Sequence, residues 1–209
     1  FYLDVGRSKD GRYLYIYSQS TVSTEQRFAD ATDPDLEFGI LIARERDHEY
    51  HAEHFDGRWI IRTNWQAPDF RLVQVPVGEQ ADRSRWQDLV APDAGTFIHR
   101  FDVFRDFLAI EERSGGLRKV RVRPWTGGED FCLASDEAAY RMTLGDNEEL
   151  DSTVLRYRYT SLTTPLTTYD MDLRTGERTL LKQEPVLGGL DPVASALVRI
   201  GRDGVPKST

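Results

Sequence analysis

The segment from 48 to 54, HEYHAEH, places three histidines and two glutamates within seven positions. Imidazole and carboxylate groups are common zinc ligands, so a metal site on His48, His51 and His54 is the first chemistry to consider. In a strand, however, successive side chains alternate, which would put His48 and His54 on one face and His51 on the other. The order also differs from the H-E-x-x-H zinc helix. We therefore expect polar strand ends and a channel lining here rather than a metal site.

Two other polar groups invite a functional interpretation. Arg62 and Asn64 close the strand-like segment IIRTN, where they could meet a substrate or a second domain, although hydrogen bonds between neighbouring sheets are the favoured alternative. Glu111 and Glu112 form a carboxylate pair that could act in general acid/base chemistry. Adjacent strand residues face opposite ways, so an ion pair with Arg113 or Arg121 is favoured instead. The candidates for a substrate channel or its rim are His51, Glu53, Arg62, Asn64, Glu112 and Arg113.

No covalent catalytic group is apparent in the sequence. No serine lies in the G-x-S-x-G pattern that exposes a nucleophile on a strand-to-helix turn. Cys132 lies in the apolar stretch DFCLA, with no histidine nearby in sequence to lower its pKa, and is expected to be a buried structural thiol. The sequence therefore assigns no catalytic residue to this chain.

The elements that position these residues follow an internal repeat. A turn followed by an apolar run occurs four times, and the first residues after the turns are Arg12, Arg58, Asp106 and Thr153, separated by 46, 48 and 47 residues. Each unit divides into four short segments rich in β-branched and aromatic residues, with Gly, Asp, Asn or Pro between them. Apart from a turn near Asp82 to Trp86, no helix is required. Four short strands per unit of this length are typical of a β-propeller blade.

An immunoglobulin-like sandwich is the competing fold, and it would require strands with one wet and one buried face. The second segments of the first three units, YLYIY, WIIRT and FLAI, are instead apolar on both faces, as expected for a sheet packed between two neighbours. The sequence therefore predicts an all-β fold with antiparallel blades, approximately 1–46, 47–94, 95–138 and 139–185, within a propeller region 1–190. Residues 191–209 would form a linker toward another domain.

Composition narrows the possible partners. The formal net charge of −8 disfavours nucleic acid and anionic membrane surfaces, which would repel the chain. A single cysteine excludes an intramolecular disulfide, and no signal peptide or long apolar run is evident, which favours a soluble cytoplasmic protein. The chain also begins at Phe1 inside a strand-like segment, which suggests a piece of a longer protein.

Several stretches resemble a known family. They are VGRSKDGRYLYIYS near the start, DGRWIIRTNWQAPDFRLVQVPV from Asp56, FDVFRDFLAIEERSGGLRKVRVRPW from Phe101 and TSLTTPLTTYDMDLRTGERTLLKQEPVLGG from Thr160. In order along most of the chain, they resemble the propeller of the oligopeptidase B (protease II) group of the prolyl oligopeptidase family of serine peptidases. The tail ALVRIGRDGVPKST resembles the start of that family's hydrolase domain, although VPKST is less apolar than the family pattern.

The resemblance implies a parent enzyme with a seven-bladed propeller and an α/β-hydrolase domain carrying a Ser, Asp, His triad. It implies cleavage of short peptides after basic residues without metal or cofactor, with the hydrolase domain and basic oligopeptides as partners. This chain would be about four blades, inactive alone, that gate substrate access by size. The acidic runs DATDPDLE from Asp30 and GDNEEL from Gly145 could attract cationic peptides, although solvated loops are the favoured alternative.

An arc of four blades in a seven-bladed design would expose apolar side chains of the first and last units and should self-associate. A stand-alone four-bladed propeller that binds a protein or ligand is the alternative, and a metalloprotein is a weaker one.

Overall fold

The computed structural model describes residues 1–135 and 137–186, and their regular structure is almost entirely antiparallel strand. Sixteen strands of the described residues fall into four groups of four consecutive strands, which we number as blades 1 to 4. The predicted linker 191–209 lies outside the described residues.

The first two blades are independent four-stranded sheets in which each strand pairs with the next along the chain. Blade 1 contains β1 (Tyr2–Arg7), β2 (Tyr13–Gln19), β3 (Thr24–Asp30) and β4 (Gly39–Ile40). Blade 2 contains β5 (Tyr50–Phe55), β6 (Arg58–Thr63), β7 (Arg71–Pro76) and β8 (Gln87–Val90). A single turn of 3-10 helix, Arg83–Arg85, precedes β8 at the position where the sequence allowed a turn.

The last two blades repeat the arrangement. Blade 3 contains β9 (Thr96–Val103), β10 (Phe107–Ser114), β11 (Leu117–Pro124) and β12 (Phe131–Cys132). Blade 4 contains β13 (Tyr140–Leu144), β14 (Val154–Ser161), β15 (Thr167–Asp172) and β16 (Arg178–Gln183). One parallel bridge between Arg118 and Arg141 joins β11 to β13, so the two blades share one hydrogen-bonded network.

The turn glycines fix the hairpins on which the repeat depends. Gly11, Gly57 and Gly176 have φ values of 77°, 75° and 75°. Only glycine adopts this left-handed region without steric cost, so these residues permit the tight turns between the strands.

Three apolar clusters lie between successive blades and hold them together. Trp59 and Ile61 of β6 pack against Tyr13 and Tyr15 of blade 1, whereas Ile60 of the same strand packs toward blade 3. The third cluster joins blade 3 to blade 4. Both faces of β6 and β10 are therefore buried, which confirms the predicted all-β partial propeller over the sandwich.

The two end blades differ in their free faces. In blade 1, Leu3 and Val5 are 72% and 73% exposed, and Val5 lies opposite Ile16. This agrees with the expected apolar end face. In blade 4, the free face of β14 instead carries Arg156 and is polar, so the same expectation is wrong for this sheet face. Exposed leucines of blade 4 lie in the loop before β15 and in the outer strand β16.

Cys132 corrects another prediction, because it is exposed rather than buried. It does lie on an outer strand, as expected, but β12 has only two residues and pairs with β11 alone. The apolar clusters between blades are built mainly from the first three strands of each blade, so a short outer strand receives little cover. No helix in the described part of the chain is long and apolar enough to span a lipid bilayer.

Candidate functional site

The first strands of blades 1, 2 and 3 meet at a concave pocket of about 530 Å³. Its wall comes from β1, β5 and β9, with contributions from β2, β3 and β6. We refer to this cavity as the concave pocket. Its volume falls within the range of ordinary small-ligand sites. Three residues predicted for a substrate channel, His51, Glu53 and Arg62, line it.

The histidines of HEYHAEH separate as strand alternation predicted. His48 and His54 are 2% and 3% exposed, whereas His51 is open to the concave pocket. His48 Nε2 lies 2.9 Å from Thr63 Oγ1, and His54 Nδ1 lies 2.5 Å from Asp10 Oδ2. Within the described residues, no three histidine, cysteine or carboxylate side chains are grouped closely enough to hold a metal ion.

His51 lines the same pocket as two arginine side chains, Arg62 and Arg100. Desolvation by the surrounding protein, together with the charges of Arg62 and Arg100, lowers the pKa of His51 to about 4. Its ring also lies 5.9 Å from the ring of Tyr17 and 5.8 Å from that of Phe101. At neutral pH the imidazole is therefore neutral, and it can donate or accept a hydrogen bond but does not add a charge.

Glu53 lies two residues further along β5 and is held by three donors. The backbone amides of Lys9 and His54 and the hydroxyl of Tyr15 all donate to its Oε1, at 3.2, 2.9 and 3.0 Å. Burial nevertheless dominates and raises the pKa of Glu53 to about 7. Asp10 adds to this rise through charge repulsion. The carboxyl group therefore changes its charge close to neutral pH.

Arg62 is fixed in place without an ion pair to any residue that the structure describes. Its Nε donates to the carbonyl of Ile98 in blade 3 at 2.7 Å, and its guanidinium lies 3.4 Å from the centre of the Phe70 ring. Burial lowers the pKa of Arg62 to about 10. The expected hydrogen bond between neighbouring blades is present, and the same side chain also faces the concave pocket.

A buried ion pair connects distant blades behind this wall. Lys9 Nζ of blade 1 lies 2.8 Å from Asp102 Oδ1 of blade 3, with side chains 8% and 14% exposed. The same ammonium sits 3.6 Å from the centre of the Phe104 ring. Because the backbone amide of Lys9 also donates to Glu53 of blade 2, one residue fixes three blades relative to each other.

The other three predicted channel residues lie elsewhere. Asn64 accepts from the amide of Glu49 at 2.9 Å and ties the loop before β5 to the end of β6. Glu112 is buried and forms an ion pair with Arg121 at 2.8 Å, as the sequence favoured. Arg113 is exposed and lies over the Phe97 ring. None of the three belongs to the concave pocket.

Sequence reasoning missed most of the wall contributed by blades 1 and 3, including Tyr15, Tyr17, His99 and Arg100. A usable signal existed, because His99 and Arg100 occupy the first strand of their unit, as His51 does in blade 2. Among the described residues lining the pocket there is no serine, threonine or cysteine.

Comparisons with known proteins agree with this architecture. Residues 1–184 match the family model for the prolyl oligopeptidase N-terminal beta-propeller domain. The chain is 43% identical over 189 residues to dipeptidyl aminopeptidase BI of Pseudoxanthomonas mexicana, covering 90% of this chain and 26% of that protein. It is 29% identical over 191 residues to Protease 2 of Moraxella lacunata, covering 91% of this chain and 27% of that protein.

Among solved structures, oligopeptidase B from Trypanosoma brucei with covalently bound antipain superposes with a TM-score of 0.82 and 27% identity, covering 92% of this chain and 29% of that one. The chain thus spans about a quarter of the length of the curated relatives it matches. The described residues form sixteen strands in four blades with apolar clusters between them, and the family match covers nearly all of this region. The chain therefore belongs to the prolyl oligopeptidase family and forms part of its N-terminal β-propeller domain.

Proposed function

We propose that this chain is a noncatalytic part of an oligopeptidase B-like serine peptidase and that its blades restrict substrate access by size. The parent would carry its Ser, Asp, His triad on an α/β-hydrolase domain that packs against the propeller, and it would cleave short peptides after basic residues without a metal or cofactor. The observation that carries the proposal is the family match over residues 1–184, and the 29% identity to Protease 2 of Moraxella lacunata supports it.

The internal structure supports a rigid gate. Blades 2 and 3 have both faces buried, and Lys9 links blades 1, 2 and 3. Close-packed sheets of this kind do not deform continuously, so a folded protein would be excluded while a flexible peptide could pass.

The test uses the full-length protein that contains this chain. A short fluorogenic peptide with arginine before the scissile bond should be cleaved, and the same peptide with norleucine there should be cleaved far more slowly. The arginine sequence displayed in a loop of a folded protein should resist cleavage, and this chain alone should be inactive. Equal cleavage of the peptide and the folded display would refute the size gate.

A second specificity is favoured by the 43% identity to a dipeptidyl aminopeptidase. The parent would then release dipeptides from free amino termini rather than cleave internal bonds. Two peptides of the same sequence, one with a free and one with an acetylated amino terminus, separate the alternatives. Loss of cleavage on acetylation supports the dipeptidyl activity, and retained cleavage supports the oligopeptidase.

We also propose that the isolated chain self-associates through the free face of blade 1, where Leu3 and Val5 are exposed. Burying apolar area is favourable, so a second copy should cover this face. Sedimentation velocity of the chain and of Val5→Asp tests it. A monomer at high concentration would contradict the proposal. The proposed location of the parent is the cytoplasm, which cell fractionation would test.

A further inference from the structure

The concave pocket carries positive charge in a chain whose overall charge is −8. Arg7, Arg62 and Arg100 line it, and none of the three forms an ion pair within the described residues. Most other arginines do pair with a carboxylate, for example Arg121 with Glu112 and Arg156 with Asp170. Three arginines that form no ion pair within the described residues therefore line the same pocket.

Arg62 and Arg100 both influence the His51 side chain. Both residues line the concave pocket together with His51, and the charges of both lower the pKa of that imidazole. Arg62 is held by its bond to the Ile98 carbonyl and by the Phe70 ring, which leaves its orientation fixed in advance. Arg100 is more exposed, and its Nη2 makes one long contact of 3.3 Å to the Gly145 carbonyl.

No carboxylate among the described residues bonds directly to Arg62 or Arg100, although the charge of Glu49 acts to raise the pKa of Arg62 and that of Arg100 acts to lower the pKa of Asp102. Glu53 is engaged by three donors on blades 1 and 2, and burial raises its pKa to about 7. The Oδ1 of Asp4 accepts from the neighbouring amide of Val5. A partly desolvated guanidinium without a counterion is costly, and an anionic ligand that supplies one is correspondingly favoured.

We propose that the concave pocket is a subsite for the carboxylate of a short peptide, bound by Arg62 and Arg100 with the His51 imidazole as a neutral hydrogen-bond partner. Planar guanidinium groups match a carboxylate with paired hydrogen bonds. The rings of Tyr17 and Phe101 flank His51 and provide apolar area for the rest of the ligand. The identification of the ligand as a peptide rests on the proposed function, whereas the preference for a carboxylate rests on the pocket itself.

The experiment measures binding to the 209-residue chain by calorimetry, without any hydrolysis. The probe is N-acetyl-trialanine with a free carboxylate, compared with the same peptide as its carboxamide. The acid should bind at least about tenfold more tightly than the amide, and more weakly at high salt, because one charge-assisted contact is lost in the amide. A third peptide, a carboxamide with one glutamate residue, shows whether the bound carboxylate is a side chain or the chain terminus. If it binds as tightly as the acid, the pocket accepts an acidic side chain. If it binds weakly, the pocket is specific for the terminal carboxylate.

Substitutions locate the site. Arg100→Gln should weaken binding of the acid about tenfold and leave the amide unaffected. Because Arg100 is exposed, this variant should keep the fold, which far-ultraviolet circular dichroism checks. Arg62→Gln should have the same effect. Arg46→Gln is the matched control, since Arg46 has a side chain 89% exposed and lies outside the pocket.

Equal affinities for acid and amide would overturn the inference, as would an Arg46→Gln effect as large as that of Arg100→Gln. Either result would leave the peptidase proposal intact, because that proposal is tested by hydrolysis in the full-length protein. Conversely, a full-length protein that cleaves no peptide would refute the peptidase while leaving a measured carboxylate preference in place.

Discussion

The environment of Glu53 predicts a specific pH dependence of stability. In the folded chain its pKa is raised from 4.5 to about 7, chiefly by burial. Between these values the folded state holds a proton that the unfolded state has released, so this group's contribution to stability decreases as pH rises. At 1.36 kcal/mol per pKa unit, the full effect is roughly 3 kcal/mol as an upper bound.

Glu53→Gln isolates this contribution, since glutamine resembles the protonated side chain and does not titrate. Relative to the unsubstituted chain, the variant should gain about 2–3 kcal/mol in unfolding free energy between pH 4.5 and pH 8. The comparison with the unsubstituted chain is essential, because lowered pKa values of about 4 at His48, His51 and His99 give an opposite slope. Those histidines make both proteins more stable as pH rises from 4 to 6.5 and cancel in the difference.

Urea unfolding followed by tryptophan fluorescence at pH 4.5, 6, 7 and 8 measures the two free energies. Glu37→Gln, at an exposed glutamate, is the matched control for the chemical change alone. A stability difference for Glu53→Gln that stays constant with pH would refute the reasoning. A stability difference between Glu53→Gln and the unsubstituted chain that falls as pH rises would mean that the three hydrogen-bond donors, rather than burial, set the pKa of Glu53.

Three further predictions concern packing, charge and backbone geometry. Trp59→Ala should cost about 3–5 kcal/mol in unfolding free energy, because this fully buried ring joins blades 1 and 2; a loss under 1 kcal/mol by urea titration would contradict the packing. Glu112→Ala should lower the free energy of unfolding by about 3 kcal/mol, because Arg121 loses its ion pair with Glu112 and keeps only the one with Asp130. Glu112→Gln should recover part of this loss in the same titration. Gly176→Ala should lower the free energy of unfolding by about 1 kcal/mol. The cost comes from the φ of 75° alone, since a Cβ at this position meets no atom within 4 Å. An unchanged thermal unfolding temperature would show that the turn adapts to alanine.

Local pattern was sufficient to predict the blades. The second strand of each blade begins at or within one residue of the position predicted after the turn, Arg12, Arg58, Asp106 or Thr153, because turn residues and β-branched runs specify hairpins through local sterics. Runs such as WIIRT, apolar on both faces, likewise predicted sheets packed on two sides. Alternation along β5 also agrees with the burial of His54 and the exposure of His51, while His48 lies just before the strand and is buried.

The sequence by itself therefore determined the fold class, the repeat and the face on which each strand residue lies. Only the tertiary structure decided which faces meet across blades. It brought Lys9 to Asp102, grouped His51 and Arg62 with Arg100, and left the short outer strand of Cys132 uncovered. The physical reason is that a strand's alternation is set by neighbouring residues, whereas the desolvation and charge felt by a side chain depend on groups contributed by sheets far away in the chain.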